Sequence, residues 1–130
     1  MPVESWLVGD WSGRVSRSGN VYSKPWEEVI DAELKVSDTG SVHFSLVWGM
    51  AQRGPIQQRN GSCEASGVAV QAERKLKMTI TKSDCQDAPP GSEAEVKMTR
   101  VGSCLVQWDT KEGRLPTRRE QFVWRRRKCR

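Results

Sequence analysis

The feature that most constrains this chain is the stretch 63–85, whose apolar residues are arranged symmetrically about Arg74. Folded back antiparallel at that point, Val68 faces Ile80, Val70 faces Met78, Ala72 faces Leu76 and Cys63 faces Cys85. One register therefore gathers three apolar pairs on one face and brings two cysteines together at the open end of the hairpin. Side chains alternate between the faces of a strand, so a slip of one residue would exchange the whole set. A chain with this hairpin is committed to antiparallel β structure.

The same rule recurs twice. Folding about Thr39 faces Val36 with Val42, Leu34 with Phe44, Ala32 with Leu46 and Ile30 with Trp48, across the turn Asp38-Thr39-Gly40. Folding about Gly102 faces Val96 with Trp108, Met98 with Val106 and Arg100 with Cys104. Trp11, Gly13 and Val15 share one face of a first strand, and Glu120 to Arg125 reads as a last one. Residues 22–28 read as an irregular lead-in, although Ser23 before Pro25 and two glutamates suit a helical turn, and Trp26 and Glu28 fall in phase with the strand that follows. Residues 49–60 contain Gly54-Pro55 and end in Asn60-Gly61, which marks a long loop of the kind that is often functional. Residues 86–92, with Pro89-Pro90-Gly91, form another loop.

Strands are thus expected near residues 11–16, 29–37, 41–48, 62–72, 75–82, 93–101, 103–109 and 119–126, with no convincing helix. Eight sequential antiparallel strands with one apolar face each close most economically into an up-and-down β-barrel, which removes the exposed edges. The expected fold is all-β, a single barrel domain over residues 1–130 with a basic tail at 125–130. The alternative is a two-sheet β-sandwich.

The 130 residues carry a net charge of +5, unevenly placed. Residues 111–130 hold nine lysines and arginines against Glu112 and Glu120, a net +7, which leaves −2 for the first 110. Basic character is a C-terminal feature, which argues against a fold built wholly as a nucleic-acid platform. No apolar run reaches the roughly 18 residues of a membrane span, and no leader is visible at Met-Pro-Val-Glu-Ser-Trp. Cys63 and Cys85, opposed across a hairpin, have the separation that a disulfide needs. Such a bond places the chain in an oxidising compartment, as a secreted mature segment; reduced thiols would place it in the cytoplasm. Cys104 is either core or a partner for Cys129, and Asn60-Gly61-Ser62 is either a glycosylation sequon or a plain turn.

No catalytic constellation is visible. His43, the only histidine, points outward, where alternation sets it apart from the nucleophile and carboxylate that a triad needs. There is no C-x-x-C, no histidine pair and no phosphate loop, so neither a metal nor a cofactor is expected. Inward Glu28 and Arg100 are the weak hints of an enzyme. Of the six tryptophans, Trp11, Trp48 and Trp108 fit the inward phase and Trp124 shares phase with Phe122. Trp6 and Trp26 fall outside firm strands, where an aromatic can contact a ligand or partner. With Tyr22, Arg53 and Gln57 they are the candidate binding residues.

Gly9-Asp10-Trp11, a G-x-W at the head of the first strand, resembles the motif of the lipocalin-like, or calycin, barrels. The resemblance implies that Trp11 packs across the closed end of the barrel, with a basic residue near the last strand over it, for which Arg125, Arg126 and Arg127 are candidates. Length and meander also suit the avidin-like branch.

The expected function is a non-enzymatic binding module. The open end of the barrel, loops 49–60 and 86–92 and Trp6 and Trp26 would grip a protein partner, including an enzyme to be inhibited, or a small apolar ligand. The alternative is an anion- or nucleic-acid-binding protein acting through Arg125, Arg126, Arg127, Lys128 and Arg130.

Overall fold

A computed structural model describes residues 2–21, 24–52, 59–86, 88–110 and 121–129. A single 3₁₀ turn, Ser5–Leu7, precedes eight strands. These are β1 Gly9–Val21, β2 Lys24–Val36, β3 Ser41–Gln52, β4 Arg59–Ala72, β5 Lys75–Ser83, β6 Glu93–Val101, β7 Leu105–Asp109 and β8 Gln121–Arg126. Each pairs antiparallel with its neighbours in sequence, and β8 returns to β1 to close the barrel.

Closure follows from alternation. Cross-strand partners line up in inward rows that climb the wall of β1 to β4: Trp11, Leu34, Phe44 and Ala65, then Gly13, Ala32, Leu46 and Cys63, then Val15, Ile30, Trp48 and Gly61. Against the small residues of this wall, β7 and β8 set Trp108, Phe122 and Trp124, all buried. Trp108 and Trp124 stack edge to face at 5.4 Å, and Phe44 meets Trp108 at 6.0 Å from the opposite side. Large rings thus face alanines and glycines across the interior, the size alternation that close packing needs.

The hairpin about Thr39 has the expected register throughout. The hairpin of β4 and β5 does not. It closes one residue tighter, with Ala72 on Lys75, Ala69 on Met78 and Gly67 on Ile80. Val68 and Val70, expected inward, are 50% and 59% exposed, and Ala72 is exposed too; Ala65, Gly67 and Ala69 occupy the inner face instead. A β-bulge between Ser66 and Gly67 then shifts the register, so that Ser66 meets Lys82 and Ala65 meets Ser83. The extra residue, Thr81, restores the phase that places Cys85 inward beside Cys63. Gly67 permits the close approach, because a Cβ there would lie 2.1 Å from the Thr79 carbonyl oxygen.

In the third hairpin Met98 pairs with Trp108 and Arg100 with Val106, a slip of two residues that keeps Val96, Met98, Val106 and Trp108 inward, whereas Arg100, expected inward, is exposed at the closed end. Residues 24–28, expected as a lead-in, are the start of β2 and pair with the end of β1. Trp26 is therefore a strand residue, in the phase of Ile30.

Candidate binding site at the open end

The two ends of the barrel differ in construction. At one end, Trp11 is buried, its Nε1 donates to the Leu7 carbonyl at 2.9 Å, and the Arg126 guanidinium lies 4.6 Å from its ring centroid. Arg126 also donates to the carbonyls of Val8, at 3.0 Å, and of Trp6. One side chain thus ties the 3₁₀ turn to β8 and caps Trp11. Of the three candidates, Arg126 is the one that covers the ring. This end is closed.

At the other end β1 to β4, with 13, 13, 12 and 14 residues, overhang β7 and β8, with 5 and 6. Among the described residues, the overhang carries a shelf, the inner faces of β1 to β4, beyond the packed core. Trp26 lies across Gly19, its directly paired neighbour on β1, and Trp48 lies across Gly61, its partner on β4. A Cβ on Gly19 would meet the Trp26 ring at 2.8 Å, and one on Gly61 would meet Trp48 at 2.3 Å. The glycines let the indoles settle against the sheet. Arg17, Glu28, Met50 and Arg59 share one cross-strand row between the levels of Trp26 and Trp48.

The rim on the β4–β5 side is fixed. Cys63 and Cys85 form a disulfide with a Cα separation of 5.1 Å. Closing that loop adds about 3 kcal/mol in the chain-entropy account. The segment after Cys85 folds back on β5: Ile80 N donates to the Ser92 carbonyl at 2.9 Å and Gly91 N to the Ile80 carbonyl at 2.7 Å, while Ala88 is buried.

The candidate residues separate accordingly. Trp26 stands at the open end. Trp6 stands at the closed end, under the Arg100 guanidinium at 5.0 Å, with its Nε1 donating to Glu4. From Trp11 to Gly19, β1 alone spans about 26 Å, so Trp6 and Trp26 cannot serve one contact. Tyr22, Arg53 and Gln57 lie outside the described residues, as does Arg130. Arg126 is turned into the closed end, Arg127 pairs with Glu33 at 2.9 Å, and Arg125 and Lys128 are exposed. Cys129 joins Cys104, with a Cα separation of 5.7 Å, which anchors the tail.

Trp48 stands in the inward phase read from the sequence, half-buried and packed against the core, and its place across Gly61 is the feature that sequence reasoning missed. The available signal was a glycine directly opposite each indole, Gly19 for Trp26 and Gly61 for Trp48, legible only once the register is known.

On the outer wall His43 has more company than alternation led us to expect. Its Nδ1 is 2.7 Å from Ser66 Oγ, and its Nε2 is 3.7 Å from Glu64. Alternation separates neighbours along a strand, whereas Ser66 and Glu64 come from the paired strand. The backbone around His43 is committed to ladders on both sides of β3, and beside Ser66 the β4–β5 ladder is interrupted only by the bulge at Thr81.

Among the described residues no helix is long and apolar enough to cross a membrane. Compared with known proteins, the chain matches no family model and no curated protein.

Proposed function

We propose that this chain is a non-enzymatic binding module whose open end grips a protein partner, an enzyme to be inhibited among them, or a small apolar ligand. The observation that carries the reading is the overhang of β1 to β4, which carries Trp26 and Trp48 beyond the packed rings of the interior. Because the rings of Phe44, Trp108, Phe122 and Trp124 occupy the barrel below, contact falls at the mouth, which favours a protein partner. The small-ligand form draws its support from the same mouth, where Trp26 and Trp48 would supply apolar contact.

The lipocalin-like assignment belongs to the same reading. Its supports are the G-x-W tryptophan across the closed end, the arginine over it and the eight-strand meander. Two disulfides support an extracytoplasmic, oxidising location.

The test is a titration of tryptophan emission against a panel of fatty acids and other apolar ligands, run beside inhibition assays on secreted hydrolases. Any member that binds should lose affinity in Trp26→Ala and keep it in Trp6→Ala, at the opposite end. Equal affinity in both variants rejects the mouth as the site.

A further inference from the structure

We propose that the cleft at the closed end, between the N-terminal segment, the β4–β5 turn and β6, binds a short zwitterion of the dipeptide class. The ligand's carboxylate faces Arg74 and Arg100, and its ammonium faces Glu73 and Glu4. This site is separate from the mouth, and the proposal does not depend on it.

The first observation is a cleft with fixed walls. It measures about 460 Å³, and its lining includes Glu4, Trp6, Glu73, Arg74, Met98 and Arg100. Gln71 N donates to the Pro2 carbonyl at 2.7 Å, and Met98 N donates to the Arg74 carbonyl at 2.6 Å. The Gln71 side chain accepts from Glu4 N at 2.8 Å and donates to the Glu73 carbonyl at 3.0 Å. The N-terminal segment, the turn and β6 are thus tied together around the cleft, which lowers the ordering cost of binding. Met98, buried, and Trp6, half-buried, supply apolar surface.

The second observation is the arrangement of charge. Two acids and two cations line this cleft, and no ion pair joins any of the four to another. The Trp6 indole engages Arg100 on its face and Glu4 at its Nε1, which holds those two charges apart. Opposite charges kept apart in one cleft match a ligand that carries both signs. The arrangement also has a direction. An adjoining cleft of about 410 Å³ shares Glu4, Trp6 and Glu73, and among the described residues its charged side chains are those two acids alone. Cations therefore lie at the end shared with β6 and acids toward the N-terminal segment, which orients the ligand. Glu73 borders both clefts and sits at φ 58°, and backbone strain of this kind concentrates at ligand sites. A dipeptide, with its ammonium and carboxylate on Cα atoms about 3.8 Å apart, is the smallest peptide whose own charges are held apart.

The experiment uses the full chain labelled with ¹⁵N and follows the indole N–H signals of its six tryptophans. Each is assigned by its loss in a Trp→Phe variant, Trp6→Phe for the cleft. Leucyl-leucine should shift the Trp6 signal saturably and leave those of Trp26 and Trp48 in place. Its N-acetyl and C-terminal amide forms, each lacking one charge, should bind about fivefold more weakly, the upper range for an exposed ion pair. Arg100→Gln and Glu73→Gln should each cost leucyl-leucine the same factor, with the dispersion of the remaining indole signals verifying the fold. The blocked dipeptides need no variant, so they decide the question even if a variant does not fold. The proposal is overturned if millimolar leucyl-leucine gives no saturable shift, if either blocked form binds equally well, or if both variants keep their affinity. A shift of Trp26 and Trp48 in place of Trp6 would assign the dipeptide to the mouth and overturn it as well.

Discussion

Arg126 decides whether the closed end stays closed. Its guanidinium does three things at once: it stacks on Trp11, accepts the orientation imposed by two main-chain carbonyls, and links the last strand to the turn before the first. Hydrogen bonds from a charged donor and a half-buried cation–π contact together place the cost of Arg126→Ala near 3 kcal/mol. Lysine keeps the charge but lacks the planar fork that serves two carbonyls while stacking, so Arg126→Lys should recover less than half. Urea unfolding followed by circular dichroism measures both. An alanine variant within 0.5 kcal/mol of the parent, roughly the limit for an inconsequential surface change, would show that the contact is incidental. The sequence offered three adjacent arginines and no means of choosing. Register chose: β8 pairs Arg126 with Trp11, which turns its neighbours outward.

At the scale of elements, the β4–β5 hairpin shows why register was only partly legible. Two apolar series run along β4. The even series, Val68 and Val70, is larger and looks like the core; the odd series, Cys63, Ala65, Gly67 and Ala69, is small and is the core. The choice is made by volume across the barrel, where Trp108 and Trp124 leave room only for small residues opposite. A strand read alone does not carry that information. The turn hid the answer too. It has two residues, and the first, Glu73, sits at φ 58°, where a side chain is strained and a sequence signal would be glycine or asparagine. Glu73→Gly should therefore stabilise the protein, by about 0.5–1 kcal/mol once the looser unfolded chain is allowed for. A fall in thermal midpoint instead would mean that the carboxylate, which borders the clefts beside Trp6, matters more than the strain.

The whole molecule joins two unlike halves, and this difference was almost wholly absent from the sequence pattern. Alternation revealed eight strands and their order, because every barrel strand has one face in and one out. It did not reveal that β1 to β4 run far past β7 and β8, since Lys24 to Glu28 and Gly49 to Gln52 alternate weakly beside turn-forming residues such as Pro25 and Gly54. The lower half is covered on all sides by paired strands. The upper half is a sheet with a half-buried inner face. Local opening free energy follows buried apolar contact, so the halves should separate in native-state hydrogen exchange. Amides in the row of Trp11, Leu34, Phe44 and Ala65 should open only with global unfolding. Those in the row of Gly19 and Trp26 should exchange through local opening, with a free energy lower by at least about 2 kcal/mol. A partner at the mouth should raise the second value toward the first and leave the first unchanged. Uniform protection in the free protein would mean that the shelf is already part of the core, which removes the physical basis for reading it as a binding surface.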